Sequence, residues 1–169
     1  MRQLWAPWRM AYITGSEPTK AGCVFCEKAA STADESNFVL LRGERCYALM
    51  NIFPYNNGHL MIAPYAHLPT ILELDAATLT EMMTMAQRCV RACQDAMGAQ
   101  GFNLGINQGG VAGAGIADHI HLHVVPRWGG DTNFMPVLAD VKVMPDFLET
   151  SYRQIRAQLA QSAEGSQRP

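Results

Sequence analysis

The sequence predicts a single domain that mixes β-strands with helices, and two patterns carry that reading. In Asp118-His119-Ile120-His121-Leu122-His123-Val124-Val125-Pro126, histidine and aliphatic residues alternate with period two. That is the period of a strand, whose successive side chains face opposite ways. Ile120, Leu122 and Val124 then face a core, and the three histidines line the other face. On a helix, residues i and i+2 point apart and the histidines would not cooperate. The β-branched residues and the closing proline also favour a strand. The second pattern is the 3–4 spacing of Leu79, Met82, Met83, Ala86, Val90, Cys93 and Met97. It marks one apolar face of a long helix, with Asp75 as its N-cap and Gly98 as its stop. At 169 residues, one core serves the whole chain, 1–169.

The remaining elements follow in order. Residues 1–20 hold Trp5, Trp8 and two prolines without a sustained period, which reads as an extended arm packed on the body or on a second subunit. Cys23-Val24-Phe25-Cys26 is a Cys-x-x-Cys pair, open to a redox, a structural or a metal-binding reading. After a polar loop at 31–37, Phe38–Leu41 and Cys46–Met50 form a hairpin around Arg42-Gly43-Glu44. Asn51 to Gly58 is a turn-rich connection, and His59–Ala63 is the next strand. Beyond the long helix, Phe102–Asn107 is a strand that leads through a glycine-rich loop into the histidine strand. Residues 127–144 are irregular, Pro145 and Asp146 open a final helix to about Ala160, and Ser162–Pro169 forms a frayed tail. Cys89 and Cys93 fall on the long helix as buried filler.

Composition narrows the class. Apolar residues make up 49% and charged residues 17%, with a net charge of −2. No basic run offers a duplex nucleic acid a footprint, so an anionic ligand must be held by local donors. No apolar stretch approaches the ~18 residues of a membrane span, and Met1–Ile13 does not read as a leader. Five cysteines do not close a disulfide set, which points to a reduced, cytoplasmic protein.

Three imidazoles on one face need partners. They fit a surface strand with solvated histidines, a metal site, or a phosphate site where a neutral imidazole attacks phosphorus and its neighbours hold the oxygens. The preceding Asn107-Gln108-Gly109-Gly110-Val111-Ala112-Gly113-Ala114-Gly115 favours the last. Its glycines let the backbone turn and expose N–H groups as an anion nest. A dinucleotide fingerprint needs a helix after the glycines, whereas a strand follows here.

His119-Ile-His121-Leu-His123-Val-Val matches the His-φ-His-φ-His-φ-φ pattern of the histidine triad (HIT) superfamily, and the chain resembles that family from about Cys23 to Arg127. Leu4-Trp5-Ala6-Pro7-Trp8-Arg9 and Trp128–Pro136 resemble a narrower microbial branch of diadenosine tetraphosphate phosphorylases. The resemblance implies an α+β fold: an antiparallel sheet of about five strands with one long and one C-terminal helix, two such sheets being joined in a homodimer. It implies a nucleotide substrate, with His121 as the nucleophile that forms a nucleotidyl-histidine, His123 at the phosphate and leaving oxygen, and His59 packed beside the triad. Asn51 would reach the ribose hydroxyls and Asn107 would orient the phosphate, while backbone N–H groups of Gly113, Ala114 and Gly115 would stabilise charge at phosphorus. Zinc-containing relatives pair a Cys-x-x-Cys with a histidine after a proline and the first triad histidine. Here these are Cys23, Cys26, His67 and His119, implying one structural zinc per chain and no organic cofactor.

One departure stands out. Many hydrolases of the superfamily carry Ala-Gly-Gln-Ser/Thr ahead of the triad, where this chain has Ala112-Gly113-Ala114-Gly115. The resemblance implies cleavage of dinucleoside polyphosphates, and the branch it points to, with this departure, sets phosphorolysis to ATP and ADP ahead of hydrolysis. The alternatives are a HIT nucleoside phosphoramidase, a dinucleoside polyphosphate hydrolase, a nucleotide-binding regulatory protein with little turnover, and a metalloenzyme using the triad directly on zinc.

Overall fold

The computed structural model describes residues 22–133 and 143–165. The expected N-terminal arm at 1–20 lies outside those residues, as does the part of the Trp128–Pro136 segment beyond Asn133. Five strands form one sheet: β1 (Val39–Arg42), β2 (Cys46–Met50), β3 (Leu60–Pro64), β4 (Gly101–Ile106) and β5 (Leu122–Arg127). Their order is β1-β2-β3-β5-β4, and each pair runs antiparallel. Among the described residues, three α-helices complete the α+β fold: α1 (Val24–Ala30), α2 (Ala76–Met97) and α3 (Leu148–Gly165).

The sheet has two unlike faces. Ala48, Met50, Leu60, Ile62, Leu122 and Val124 pack against α2 and α3, with Met82, Met85, Cys89, Ile155 and Leu159 opposite them. Val39, Tyr47, Leu49 and Ala63 turn the other way and pack under Phe25 of α1. This alternation is the strand period at work, and it leaves the α1 side for the histidines.

The caps of α2 stand where the sequence places them. The Asp75 carboxylate accepts the Thr78 N–H at 2.7 Å, and Gly98 closes the helix at φ 62°, a conformation that favours glycine. The buried stripe differs from the expected one. It runs through Thr78, Met82, Met85, Ala86, Cys89, Ala92 and Cys93, while Met83 is 53% exposed. Leu79, Val90 and Met97 sit at its border. Methionines at 82, 83 and 85 offer overlapping stripes, and docking on the sheet selects between them. The final helix also runs longer than expected, through the first residues of the expected tail; residues 166–169 lie outside the described part.

The histidine strand starts later than its alternation suggests. Regular pairing begins at Leu122, because the Ile120 N–H donates to the Leu68 carbonyl at 2.7 Å instead of to the ladder. His119 and His121 thus precede the paired strand, yet the alternation of faces survives. Ile120, Leu122 and Val124 join the α2 core, and all three histidines are buried. The short helix α1 was not legible as an element, since seven residues show too little period.

Candidate active site and metal centre

His121 is held by a backbone carbonyl. Its Nδ1 lies 2.8 Å from the His119 oxygen. A carbonyl can only accept, so Nδ1 carries the proton and Nε2 keeps its lone pair. Burial lowers the pKa of His121, with the carbonyl bond acting weakly the other way, so the ring is held neutral. The Phe25 ring lies against it, with centroids 4.7 Å apart, and the His123 ring meets it edge-on at 4.8 Å.

A second chain of hydrogen bonds sets His123. The Tyr55 N–H donates to His59 Nδ1 at 3.0 Å, so that nitrogen is unprotonated. In the neutral ring the proton is then on Nε2, which donates to His123 Nδ1 at 3.0 Å. The His123 proton is left on Nε2, as a donor. His59 is fully buried and tied into this relay, so it belongs to the histidine cluster.

The expected binding residues are placed less directly. Asn51 is buried and uses its side chain locally. Its Oδ1 accepts the Phe53 N–H at 2.9 Å, and its Nδ2 approaches His59 Nδ1 at 3.4 Å. This is turn chemistry at the edge of the histidine cluster. Asn107 follows β4 directly, half-buried. In the glycine loop, a single 3-10 turn spans Gly110–Ala112, with Gly113 at φ 81°. The N–H groups of Gly113 and Ala114 donate back to Gly110 and Gly109, so two of the anticipated donors are used within the loop. Ile116, just past Gly115, packs against the buried cluster that includes Phe25 and brings the loop's end to the α1 side of the sheet.

Cys23, Cys26, His67 and His119 converge, their ligand atoms all within 4.8 Å of one another. Cys23 Sγ is 3.3 Å from His119 Nδ1, Cys26 Sγ is 3.3 Å from His67 Nδ1, and the two Nδ1 atoms are 3.3 Å apart. A tetrahedral zinc with bonds of ~2.3 Å to sulfur and ~2.0–2.1 Å to nitrogen implies edges of roughly 3.3–3.8 Å. The residues fit such an ion. His119 Nε2 sits 2.9 Å from the Pro64 carbonyl, a bond that puts the proton on Nε2 and frees Nδ1 as a ligand. Burial lowers the His119 pKa, which favours the same neutral form.

The HIT domain family matches residues 32–130, which holds β1 to β5 and every triad histidine. The chain belongs to the HIT domain family. It is 35% identical over 167 residues to the AP-4-A phosphorylase of Mycobacterium tuberculosis, covering 95% of this chain and 85% of that one. Among solved structures, it is similar to a Zn-bound histidine triad family protein from Mycobacterium smegmatis, with 32% identity and a TM-score of 0.70 over 85% of this chain and 97% of the other. A histidine triad nucleotide-binding protein from Sulfolobus tokodaii matches with 25% identity and a TM-score of 0.66 over 86% and 95%. This HIT chain is an enzyme of the nucleotide hydrolase or transferase class, with a Cys/His cluster suited to a metal ion.

Two residues of the HIT site escaped sequence reasoning. Phe25 sits between the two cysteines and was visible only as part of their spacing. Asp131 accepts from Asn56 Nδ2 at 2.8 Å and from Arg127 Nη2 at 2.9 Å, clamping the β2–β3 connection that carries Asn51 and Tyr55. Its i, i+4 spacing from Arg127 was the available signal, but Asn56 lies 75 residues away.

Proposed function

We propose that this HIT enzyme splits dinucleoside polyphosphates of the diadenosine tetraphosphate (AP-4-A) type through a nucleotidyl-histidine on His121, with orthophosphate as the acceptor. The observation that carries the reading is the 2.8 Å bond from His121 Nδ1 to the His119 carbonyl, which leaves a neutral imidazole with a free Nε2 lone pair. His121 Nε2 attacks the α-phosphorus, the P–O bond to the rest of the substrate breaks, and ATP leaves. The His123 Nε2–H stabilises that departing oxygen as a hydrogen-bond donor, and a covalent step splits one hard displacement into two. An orthophosphate oxygen then attacks the same phosphorus, the P–N bond breaks, His121 is restored and ADP is released.

Orthophosphate is preferred to water on two grounds. Similarity to the Mycobacterium tuberculosis AP-4-A phosphorylase extends over nearly the whole chain, and the segment before the triad lacks the Gln and Ser/Thr side chains of many hydrolases. In this reading Asn51, by giving up its local turn bonds, and Asn107 would act as the nucleotide-facing amides, and the backbone around Gly113, Ala114 and Gly115 would lie beside the phosphates. Cys23, Cys26, His67 and His119 would hold one zinc per chain, and that ion would supply rigidity. Metal analysis of unchelated protein should find about one zinc per chain.

The test incubates enzyme and diadenosine tetraphosphate with isotope-labelled orthophosphate. Labelled ADP beside unlabelled ATP is expected. AMP accumulating at a rate independent of phosphate, with no labelled ADP, would make the enzyme a hydrolase.

A further inference from the structure

Phe25 stands between the two cysteines of the metal cluster in sequence and between two histidines and the sheet in space. Its ring is 1% exposed and lies 5.1 Å from the His119 ring and 4.7 Å from the His121 ring, centroid to centroid. Three ties fix the helix that carries it. The buried Tyr47 hydroxyl donates to the Phe25 carbonyl at 2.7 Å. At the C-terminal end of α1, the Arg42 guanidinium donates to the carbonyls of Ala29 at 2.9 Å, Lys28 at 3.2 Å and Ser31 at 2.6 Å. At the N-terminal end, Cys23 and Cys26 meet His67 and His119 in the metal cluster.

Besides the edge-on His123 ring, two contacts orient His121: its Nδ1–H bond to the His119 carbonyl, and the Phe25 ring. The χ2 torsion of a histidine is broad and roughly two-fold, so one hydrogen bond leaves the ring able to tilt. An apolar ring packed against it at a 39° tilt restricts that freedom. Both contacts come from segments that the metal cluster clamps, one from the ligand His119 itself and one from the residue flanked by both cysteine ligands.

We infer that Phe25 is a positioning residue for His121, and that the Cys23/Cys26/His67/His119 centre acts on the reaction through Phe25 and the His119 backbone. With the centre closed, the nucleophilic nitrogen is aimed; with it open, the imidazole is present but free to tilt and to exchange tautomers. This inference rests on the nucleotidyl-histidine reading for its kinetic consequence, while its structural consequence is independent of substrate.

The test uses Phe25→Leu, which keeps apolar bulk and removes the flat ring. Cys89→Ala serves as a comparison, being a core substitution on the opposite face of the sheet. Rapid-quench kinetics with diadenosine tetraphosphate give the rate of nucleotidyl-enzyme formation and the KM. Nitrogen NMR of the substrate-free proteins gives the His121 tautomer, for wild type with and without a chelator. In Phe25→Leu the adduct should form about 10- to 100-fold more slowly, the scale of a small misplacement, with KM within about twofold. Cys89→Ala should keep the wild-type rate. Wild type should show the Nδ1–H tautomer, and both Phe25→Leu and chelated wild type should show averaged tautomers. The inference is overturned if Phe25→Leu forms adduct at the wild-type rate, if Cys89→Ala slows it equally, or if the Nδ1–H tautomer persists in both Phe25→Leu and chelated wild type. If wild type itself forms no adduct, the covalent reading falls, and the tautomer measurement alone decides the role of Phe25.

Discussion

A neutral imidazole attacks through one nitrogen, so the site depends on where four rings keep their protons. His121 and His123 hold opposite tautomers: Nδ1–H on the first, set by a carbonyl, and Nε2–H on the second, set by His59. Replacing His121 with Ala should leave the fold intact and abolish the acid-labile nucleotide adduct that wild type shows on quenching; full turnover in that variant would end the covalent mechanism. His59→Leu breaks the relay from Tyr55 and should lower kcat by about 10²-fold, the low end for a positioned proton donor. His59→Gln should recover part of it, since an amide both accepts and donates; no difference between the two variants would show that His59 only packs. The triad was legible because strand periodicity is local. The tautomers were legible only in outline, because the Tyr55 N–H and the His59 ring meet the triad through the fold and not through spacing.

Among elements, the long helix α2 was legible at its ends and less so along its face. Asp75 and Gly98 act on their own backbone, whereas Met83 and Met85 are distinguished only by the sheet beneath. Short α1 is the opposite case. Seven residues do not hold a helix in water by propensity, so α1 depends on Tyr47, Arg42 and the Cys23/Cys26/His67/His119 cluster. A chelator should raise amide hydrogen exchange across 24–30 and lower the melting temperature while leaving exchange in α2 slow; unchanged exchange in α1 would show that the cluster does not anchor it. The β2–β3 connection has its own clamp. The hydrogen bond from Arg127 above all holds the Asp131 carboxyl well below the usual carboxylate range; burial opposes it, and the Trp128 N–H, the Arg127 charge and Asn56 add smaller lowering effects. A depressed carboxylate stabilises the fold above its unfolded pKa, ~3.9, and that contribution is lost as pH falls below it. Asp131→Asn should therefore cost about 1–2 kcal/mol near neutrality, the lower part of the charged-bond range, because Arg127 is 45% exposed and solvent screens the pair. Denaturant titrations at pH 7 and near pH 3 should show the gap between wild type and variant shrinking in acid. A gap independent of pH would place the loss in shape and not in charge.

At the scale of the molecule, the sheet has two edges, and they are not equivalent. Strand β1 is short and covered. Its Val39 carbonyl accepts from the Tyr152 hydroxyl of α3 at 3.1 Å, and its Arg42 is spent on the end of α1. Strand β4 is longer and pairs only with β5 among the described residues. Asn103, Leu104 and Gly105 at its centre are exposed, with Leu104 at 44%. A long open edge carrying an exposed leucine is a template for strand pairing unless something covers it. The homodimer implied by family resemblance joins two sheets, and β4 is the edge with free length for it: a second copy would pair β4 to β4 and continue the sheet. Sedimentation or light scattering should then report twice the chain mass of 18.6 kDa. Leu104→Arg should shift that mass toward the monomer by setting two like charges against each other at the seam. Wild-type protein that sediments as a monomer, or a dimer that Leu104→Arg leaves intact, would move the interface away from β4. The outcome also bears on catalysis, because β4 runs directly into Asn107 and the glycine loop. A seam on β4 would steady the phosphate end of each site from the neighbouring subunit, so a monomeric Leu104→Arg variant should show a raised KM for diadenosine tetraphosphate while still forming the His121 adduct.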